Sequence, residues 1–368
     1  MELIRNWLTR HFSNPQVVGL GLLLVVGFLV IMWMGSYLTP VIAGVIVAYL
    51  LEGPVGFLER NRSPRLLAVI VIFCLFMAFV LLFLFGAMPL IWRQTTALFQ
   101  QFPIMLVKGQ DTLLSLPEQY PHLFSEEQVR ELIFTMRSRV GGFGEQVLSM
   151  SLASVVGALT VLVYLILLPL MVFFFLKDKI RIQQWFTAFL PTERRLTVEV
   201  WREVDVQIGN YVRGKAIEIL FVWLSSFVTF QFLGLNFAML LSVLVGLSVL
   251  IPYVGAVVVT IPVALIAFFQ WGLTSEFYWL LGMYLLIQFL DGNLLVPLLF
   301  SEVVNLHPVA IIVSVLVFGG LWGFWGVFFA IPLATLVQAI LRAWPNFDEQ
   351  DEEHDDALMV NVGSTAKD

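Results

Sequence analysis

The feature that most constrains this chain is the absence of any lysine or arginine between Lys215 and Arg342. A stretch this long and this apolar is expected to lie in lipid. It nevertheless contains a carboxylate within a turn signal, Asp291-Gly292-Asn293, and several further glycines and prolines. Backbone that contacts lipid must be helical, because no water satisfies a free N–H or C=O, so breaks are tolerated only beside protein or a water-filled cavity. The combination predicts a transport or channel site.

The composition places the whole chain in a membrane. Of its 368 residues, 60% are hydrophobic and 12% are charged, whereas a soluble domain is near half apolar and a quarter charged. The fold class predicted is an all-α polytopic membrane protein. Its single cysteine, Cys74, excludes a disulfide framework. Seven of the 26 acidic residues lie between Asp348 and Asp356, and without them the chain balances its 20 basic residues, so we expect no nucleic-acid partner.

Apolar runs predict six full spans and the domains that connect them. The polar segment 92–150 has the capping box Ser125-Glu-Glu-Gln128 and turn signals at Phe102-Pro103 and Leu116-Pro117, which predict a small helical periplasmic subdomain. Residues 177–215 are predicted to form an amphipathic cytoplasmic linker, and residues 344–368 an acidic cytoplasmic tail. The six full spans are predicted at about 17–38, 41–58, 66–91, 151–176, 216–233 and 277–300. The predicted domain boundaries that follow are 1–91, 92–150, 151–176, 177–215, 216–343 and 344–368.

Basic residues orient these spans, since lysine and arginine mark cytoplasmic loops. Arg5 and Arg10 predict a cytoplasmic N-terminus, and Arg60, Arg62 and Arg65 follow two predicted spans later on the same side. The eight basic residues of 177–215 are also predicted inside, which leaves 92–150 outside. Both termini are then cytoplasmic.

The C-terminal region contains a weak internal repeat about seventy residues apart. Ser-Val-Leu-Val recurs at 242–245 and 314–317, and Ile-Pro-x-Ala recurs at 261–264 and 331–334. Each unit is about 35 residues, or about 50 Å of helix, which exceeds one pass through a core of about 30 Å. We therefore predict two helical hairpins, 236–271 and 306–341, fully spanning or re-entrant and inverted with respect to each other, which gives about eight transmembrane helices. The alternative is two ordinary kinked helix pairs. The breaks are assigned to Pro252, Gly255, Pro262, Gly319, Gly320, Gly323, Gly326 and Pro332.

Asp291 is the strongest candidate for a functional-site residue. A carboxylate at the bilayer centre costs roughly 2.5–3.5 kcal/mol, so its default interpretation is functional. The alternative is a helix cap close to an interface. Because the C-terminal spans contain no base, we expect Asn293 and exposed backbone amides as its partners, and we expect it to bind and release a proton in a protein-lined cavity. The other residues of the predicted solute or ion pathway are Gly292, Tyr253 and Asn305.

Three further ionisable residues are candidates for a gate. Glu302 and His307 follow the Asp291 span in a short loop, where a histidine before a proline is alternatively structural. Glu218 lies one turn beyond Arg213 and Lys215, and a surface ion pair is the alternative for it.

The sequence contains no recognisable catalytic motif. Gly209 to Ala216 nearly matches a P-loop, but Ala216 stands where a Mg²⁺-binding Ser or Thr is needed and a helix is expected before it. With no HExxH, no G-x-S-x-G and no Cys/His cluster, we expect no enzyme, no metal and no cofactor.

Five motifs are specific enough to suggest a family: Tyr211-Val-Arg-Gly-Lys215, Leu250-Ile-Pro-Tyr-Val-Gly255, Leu290-Asp-Gly-Asn-Leu-Leu-Val-Pro297, Leu306-His-Pro308, and Gly323-Phe-Trp-Gly326 with Ile331-Pro332. They resemble the AI-2E transporter family, and most of all its PerM-like branch in Gram-negative bacteria. The resemblance implies an inner-membrane protein of about eight spans and a homo-oligomer, with a pentamer as one candidate. Many members have an acid or amide before Ile-Pro-Tyr-x-Gly, where this chain has Val249, which leaves Asp291 as the main candidate for coupling.

Three functions follow from these patterns and the resemblance. The leading hypothesis is a permease that exports a small polar solute, similar to autoinducer-2 by the resemblance. The second is a Na⁺/H⁺ antiporter, which usually needs more than one intramembrane carboxylate. The third is a membrane scaffold that binds a periplasmic protein partner through residues 92–150. Membrane lipid and further copies of the chain are the other expected partners.

Overall fold

The computed structural model describes residues 15–119, 125, 127, 131, 133–135, 154–188, 195–300 and 306–343, and every regular element within them is helical. The helices are α1 (Pro15–Arg60), α2 (Arg65–Leu82), π1 (Phe83–Ala87), α3 (Met88–Gln119), α4 (Ser154–Lys177), α5 (Lys179–Ala188), α6 (Arg195–Phe232), α7 (Ala238–Ser248), α8 (Val254–Trp271), α9 (Ser275–Leu290), π2 (Asp291–Leu295), α10 (Val296–Phe300), α11 (Pro308–Trp322), α12 (Phe324–Phe328) and α13 (Ala330–Ala343).

Within the described residues, five helical segments are long and apolar enough to cross a membrane. They are Tyr37–Arg60, Arg65–Gln110, Val204–Phe232, Val254–Trp271 and Ser275–Phe300, and three shorter apolar helices accompany them: Val163–Lys177, Ala238–Ser248 and Pro308–Trp322. The protein is therefore a multi-pass membrane protein, as its composition predicts, and the part of the chain that the structure describes is helical in all its regular elements.

The N-terminal helix corrects one predicted boundary. We expected two spans separated at Thr39-Pro40, but α1 runs unbroken from Pro15 to Arg60 with Pro40 and Pro54 inside it. A proline removes one hydrogen bond and kinks a helix, yet apolar surroundings offer the freed backbone no better partner than the helix itself. The chain therefore does not reverse direction at Thr39. The predicted side of the N-terminus depended on two spans before Arg60, and that argument no longer holds.

The next helical segment corrects a second boundary. Helix α2, π1 and α3 follow one another without a loop from Arg65 to Gln119. The prolines at 103 and 117 lie within α3, so the predicted turns there are wrong. The first part of the predicted periplasmic subdomain is the extension of a span, and residues 136–150 lie outside the described residues.

One end of the helices is held by an ionic network around Arg65. Its guanidinium pairs with Glu52 at 3.4 Å and with Glu59 at 3.2 Å, and it donates a 2.8 Å hydrogen bond to the carbonyl oxygen of Leu176. Lys179 also pairs with Glu52, at 3.1 Å. The loop after α1 and the junction of α4 with α5 therefore lie at the same end of the helices, as the predicted topology requires.

The chain divides into two compact units. The first comprises residues 36–185 and 209–303, and the second comprises residues 1–35, 186–208 and 304–368. The apolar core of the first unit forms where α3, α6, α7, α8 and α9 meet. Its fully buried members include Val222, Phe230, Leu241, Val263 and Tyr284.

Helices α7 and α8 form a hairpin within the first unit, called hairpin 1 here, over residues 238–271. The 11 residues of α7 extend only about 16 Å, which is short of the roughly 30 Å hydrocarbon core. The turn between the arms contains Tyr253 with φ 62°. Two residues later, Gly255 lies so close to the carbonyl oxygen of Ser248 that no Cβ atom would fit.

Hairpin 2, over residues 308–343 of the second unit, repeats this construction. The turn after α11 contains Gly323 with φ 58°, and Gly326 lies against the carbonyl oxygen of Phe318 with no room for a Cβ atom. Each hairpin thus places a positive-φ residue five positions after the carbonyl that its glycine contacts. The weak repeat in the sequence corresponds to a shared turn.

Candidate functional site

One face of α6 carries the polar residues of the first unit into its interior. Tyr211, Lys215, Glu218, Val222 and Ser226 follow one another at spacings of three and four, which places them on one side of a helix. All five are buried. Two of them are charged, although all five lie in the part of α6 that forms the candidate span Val204–Phe232.

Lys215 and Glu218 form a buried ion pair. Lys215 Nζ donates to Glu218 Oε2 at 2.8 Å, and the side chains are only 6% and 3% exposed. The sequence offered a surface ion pair as the alternative for Glu218. The pairing exists, but its predicted location is wrong, because this face of α6 is covered by other helices.

Asp291 is buried in the same unit as that pair. Its side chain is buried at the start of π2, in the span Ser275–Phe300. Its charge interacts with that of Lys215, and Glu218 interacts electrostatically with it as well. Lys215 is hydrogen-bonded to Glu218 rather than to Asp291, so the expectation that no base pairs with Asp291 stays a prediction. We call Lys215, Glu218 and Asp291 the charge cluster.

One oxygen of the charge cluster lacks a hydrogen bond. Asp291 Oδ1 is buried and has no hydrogen-bond partner among the described residues. The residue as a whole is 8% exposed. Burying an ionised carboxylate is costly unless it is paired and hydrogen-bonded.

Phe300 closes one side of the charge cluster. Lys215 Nζ lies 5.5 Å from the centre of its ring, within the range of a cation–π contact. The centre of the Tyr211 ring lies 5.8 Å from the centre of the Phe300 ring. A Cβ atom on Gly214 would come within 2.8 Å of Phe300 Cε1, so this position needs glycine. The Tyr-Val-Arg-Gly-Lys motif thus provides the lysine and the space for the aromatic wall.

Asn293 has a different role from the one predicted. Its side-chain amide donates to the carbonyl oxygen of Phe289 at 2.9 Å, and it is exposed rather than turned toward Asp291. A π-helix shifts the hydrogen-bond ladder by one residue, so a side-chain donor near it compensates a displaced carbonyl. The predicted break at Asp291-Gly292-Asn293 is therefore a π-helical turn in a continuous helix, with Gly292 exposed on it.

A second polar group lies on the same face of α9, one and two turns before Asp291. The hydroxyl of Tyr284 is 3.0 Å from Thr260 Oγ1, and Gln288 Nε2 donates to it at 3.1 Å. Tyr284 is completely buried. Together with Asp291, these side chains form a polar line along α9 where it faces hairpin 1.

Hairpin 1 packs against α6 one residue beyond Glu218. A Cβ atom on Gly246 would be 2.7 Å from Trp223 Cβ and 3.1 Å from the carbonyl oxygen of Ile219, the residue after Glu218. The turn begins three residues later, at Val249. Tyr253 is 58% exposed in that turn, and Pro252 accepts a 2.7 Å hydrogen bond from the backbone of Val254.

The remaining predicted residues are dispersed. His307 is the N-cap of α11, where its Nδ1 accepts from the backbone N–H of Val309 at 3.2 Å, which is the structural alternative. Pro262 and Pro332 were predicted as breaks, and that assignment is wrong, because Pro262 lies inside α8 and Pro332 inside α13. Gly319 contacts Val327, whereas Gly320 has open space around it. Glu302 and Asn305 lie outside the described residues, and within the described ranges no group of His, Cys, Asp and Glu is arranged to hold a metal.

Sequence reasoning missed most of the neighbours of Asp291. Lys215 was assigned to the cytoplasmic linker, and Tyr211 and Phe300 were not singled out as site residues. The signal that was available is the spacing Tyr211, Lys215, Glu218, which places three polar groups on one helical face. Nothing in the sequence indicated that this face meets Asp291.

Comparison with known proteins decides the family. A sequence profile described as "AI-2E family transporter" matches residues 22–346. The chain belongs to the AI-2E transporter family. It is 47% identical over 346 residues to the Escherichia coli protein named "Putative permease PerM", covering 94% of this chain and 98% of that one. It is 26% identical over 304 residues to the Bacillus subtilis protein named "Putative transport protein YueF", covering 81% of each chain. The predicted family and its PerM-like branch are thus confirmed.

Proposed function

We propose that this protein is a secondary transporter of the bacterial inner membrane that exports a small polar solute, similar to autoinducer-2. Its family membership and the names of its relatives support a permease or transport protein. The observation that carries the proposal is the short hairpin 1, whose second arm begins against the buried hydroxyl of Tyr284 on α9, in a unit that also buries charged groups within candidate spans.

The hairpin supports transport because its first arm is too short to cross the membrane. A turn that ends within the bilayer needs polar surroundings for its backbone. Tyr284 supplies such surroundings, since its hydroxyl donates to the carbonyl oxygen of Ala256, just after the turn, at 3.4 Å. Tyr253 in the turn and the polar line along α9 provide hydrogen-bonding groups for a hydrophilic solute. Hairpin 2, with the same turn, is the inverted counterpart in this proposal.

A second candidate function, Na⁺/H⁺ antiport, gains support from Glu218. The sequence offered Asp291 as the one clear intramembrane carboxylate, whereas the structure buries Glu218 within the same cluster. Two carboxylates near one another are what cation exchange needs, so coupling of solute export to a cation gradient is the version of transport we favour.

The scaffold hypothesis has less support in the described segment of 92–150. Gln94 hydrogen-bonds hairpin 1, and Gly109 lies close to the ring of Phe269. Ala97, Leu98 and Met105 also pack against the core of the first unit. These contacts give α3 a structural role inside the transporter, and a periplasmic protein partner stays a prediction.

Flux in proteoliposomes tests the proposed function. Purified protein should move at least one small polar solute faster than protein-free liposomes, and the flux should depend on a proton or Na⁺ gradient. Asp291→Asn should abolish that dependence. Glu276→Gln, which changes an exposed carboxylate at the start of α9, is the matched control. Gradient-independent leak in every variant, or no flux for any solute or cation, would contradict the proposal.

A further inference from the structure

Four basic side chains lie at one end of the first unit without an ionic partner. They are exposed, and none of them forms an ion pair with a carboxylate among the described residues. Two come from the turn between α1 and α2, and two come from the junction of α4 with α5. We call them the basic corner: Arg60, Arg62, Lys177 and Arg181.

The ionic network around Arg65 brings the two halves of the basic corner together. Arg65 pairs with Glu59 near the end of α1, and it donates a 2.8 Å hydrogen bond to the carbonyl oxygen of Leu176, the residue before Lys177. Next to this network, α1, α2 and α4 share one apolar core, whose fully buried members include Val55, Val69 and Val172. All four bases are therefore held at the ends of the same three packed helices.

The basic corner has a surplus of positive charge. The two bases of the ionic network already balance its two carboxylates. Asp178 is the one acidic residue in the segments 60–65 and 177–181, so three positive charges of the corner stay uncompensated. Exposed charges of one sign at the end of a membrane span create a positive potential that attracts anions.

Apolar side chains are exposed directly beside the basic corner. Phe57 lies one turn before Arg60 on α1, and Phe174 lies one turn before Lys177 on α4. Lys177 Nζ lies 5.9 Å from the centre of the Phe174 ring, so its stem follows the apolar surface of α4 while its ammonium stays at the edge of that surface. This arrangement is typical of a lysine at the level of the lipid phosphates, where the hydrocarbon ends.

We propose that the basic corner binds the headgroup of an anionic phospholipid, whose acyl chains lie along Phe57 and Phe174. The planar guanidinium groups of its arginines match the oxygens of a phosphate in pairs. Groups of lysine and arginine immediately beside a span are typical binding sites for anionic lipids. The site is distinct from the buried groups of α6 and α9, and it does not depend on the proposed transport function.

The apolar side chains favour a lipid over the other anions that the corner attracts. The chain itself has seven acidic residues between Asp348 and Asp356. A polar acidic segment gains nothing from contact with exposed phenylalanine rings, and neither does a soluble phosphate. A phospholipid satisfies the charged and the apolar parts of this surface together.

Native mass spectrometry of the full-length protein in detergent tests the proposal by counting bound lipids. Phosphatidylglycerol should bind in preference to phosphatidylcholine. The triple variant Arg60→Gln/Arg62→Gln/Arg181→Gln should weaken phosphatidylglycerol binding about fivefold for each charge removed. Arg93→Gln is the matched control, because this exposed base lies about 42 Å along continuous helix from Arg65, and it should keep the wild-type affinity.

Two further measurements separate a lipid from the other anions. Glycerol 3-phosphate carries the charge without acyl chains, and an excess of it should not displace phosphatidylglycerol from the wild type. Raising the ionic strength should weaken phosphatidylglycerol binding to the wild type, because exposed charges are screened by salt. This second measurement needs no variant.

The proposal is overturned if phosphatidylglycerol and phosphatidylcholine bind equally, or if the triple variant binds phosphatidylglycerol as tightly as Arg93→Gln does. Displacement by glycerol 3-phosphate would make the corner a site for soluble phosphates and would overturn it as well. Thermal unfolding in nanodiscs gives the last case. If the triple variant is destabilised to the same extent in phosphatidylcholine as in phosphatidylglycerol, its bases hold another segment of the chain and not a lipid.

Discussion

Gln94 caps the first turn of α7 from another helix: its side-chain oxygen accepts a 2.8 Å hydrogen bond from the backbone N–H of Leu240. The first N–H groups of a helix have no partner within that helix. Gln270 fixes the same end of hairpin 1, since it accepts from the N–H of Asn236 and donates to the carbonyl oxygen of Gly234, both at 2.8 Å. Two side-chain amides thus anchor the base of hairpin 1.

Removing the amide of Gln94 should loosen hairpin 1. Gln94→Ala leaves the N–H of Leu240 without its partner, and we expect a loss of about 1–2 kcal/mol of stability. Thermal unfolding of the purified protein in detergent measures this loss. Gln101→Ala, at an exposed position on the same helix, is the control and should unfold within about 0.5 kcal/mol of the wild type. If Gln94→Ala and Gln101→Ala unfolded at the same temperature, a capping role for Gln94 would be excluded.

The tight turn of hairpin 1 should not accept a side chain at Gly255. Gly255→Ala would drive its Cβ atom into the carbonyl oxygen of Ser248, so the two arms must separate and the protein should fail to assemble. Gly326→Ala should have the same effect in hairpin 2, through Phe318. Gly282→Ala is the matched control, because nothing lies within 4 Å of that position and alanine favours a helix over glycine by about 0.5–1 kcal/mol. Size-exclusion chromatography compares the three, and a monodisperse Gly255→Ala protein would contradict the turn described.

Breaking the buried ion pair should cost more than any surface pair. Lys215→Met leaves Glu218 without its cation, and we expect a loss of about 3–5 kcal/mol. The double variant Lys215→Met/Glu218→Leu removes both charges of the pair and should recover most of that loss. Glu59→Ala, which breaks a partly exposed pair with Arg65, should cost about 1 kcal/mol or less. Thermal unfolding distinguishes these cases, and a double variant as unstable as Lys215→Met would argue against charge imbalance as the cause.

The ionic network and the Gln94 contact predict the sidedness of three positions. Cysteines at Arg62 and Asp178, in a Cys74→Ser background, should be labelled from the same side, because Arg65 and Lys179 share Glu52. About 44 Å of continuous helix separates Arg65 from Gln94. Gln94 contacts the end of hairpin 1 where Gln270 lies, and Ser275 follows Gln270 by five residues. A cysteine at Ser275 should therefore be labelled from the other side. An impermeant thiol reagent applied to spheroplasts and to inverted vesicles reads this out. The predicted orientation puts Arg62 and Asp178 in the cytoplasm, and labelling of Arg62 and Ser275 from one side would refute the arrangement.

Several properties follow from the sequence because they depend on composition and short-range pattern. An apolar chain with few charges is confined to a membrane, and the membrane makes its backbone helical. The glycine and proline positions of the C-terminal repeat indicated two turns, and both occur where the repeat places them. The carboxylate of Asp291 was identified as unusual from its lack of neighbouring charges alone.

Other properties depended on contacts between residues far apart in the chain. Pro40 and the prolines at 103 and 117 were expected to interrupt the helices, but α1 and α3 continue through them. Each proline removes only one hydrogen bond from a long helix. Lys215 was assigned to a linker, 76 positions before Asp291 by residue number. The structure packs α6 against α9, where the rings of Phe230 and Tyr284 meet, and the charges of Lys215 and Asp291 then interact across the same interior. The sequence by itself determined that this protein has a buried carboxylate in lipid-embedded helices. Tertiary structure decided which charged side chains act on that carboxylate, because electrostatic interaction depends on distance in space and not on spacing along the chain.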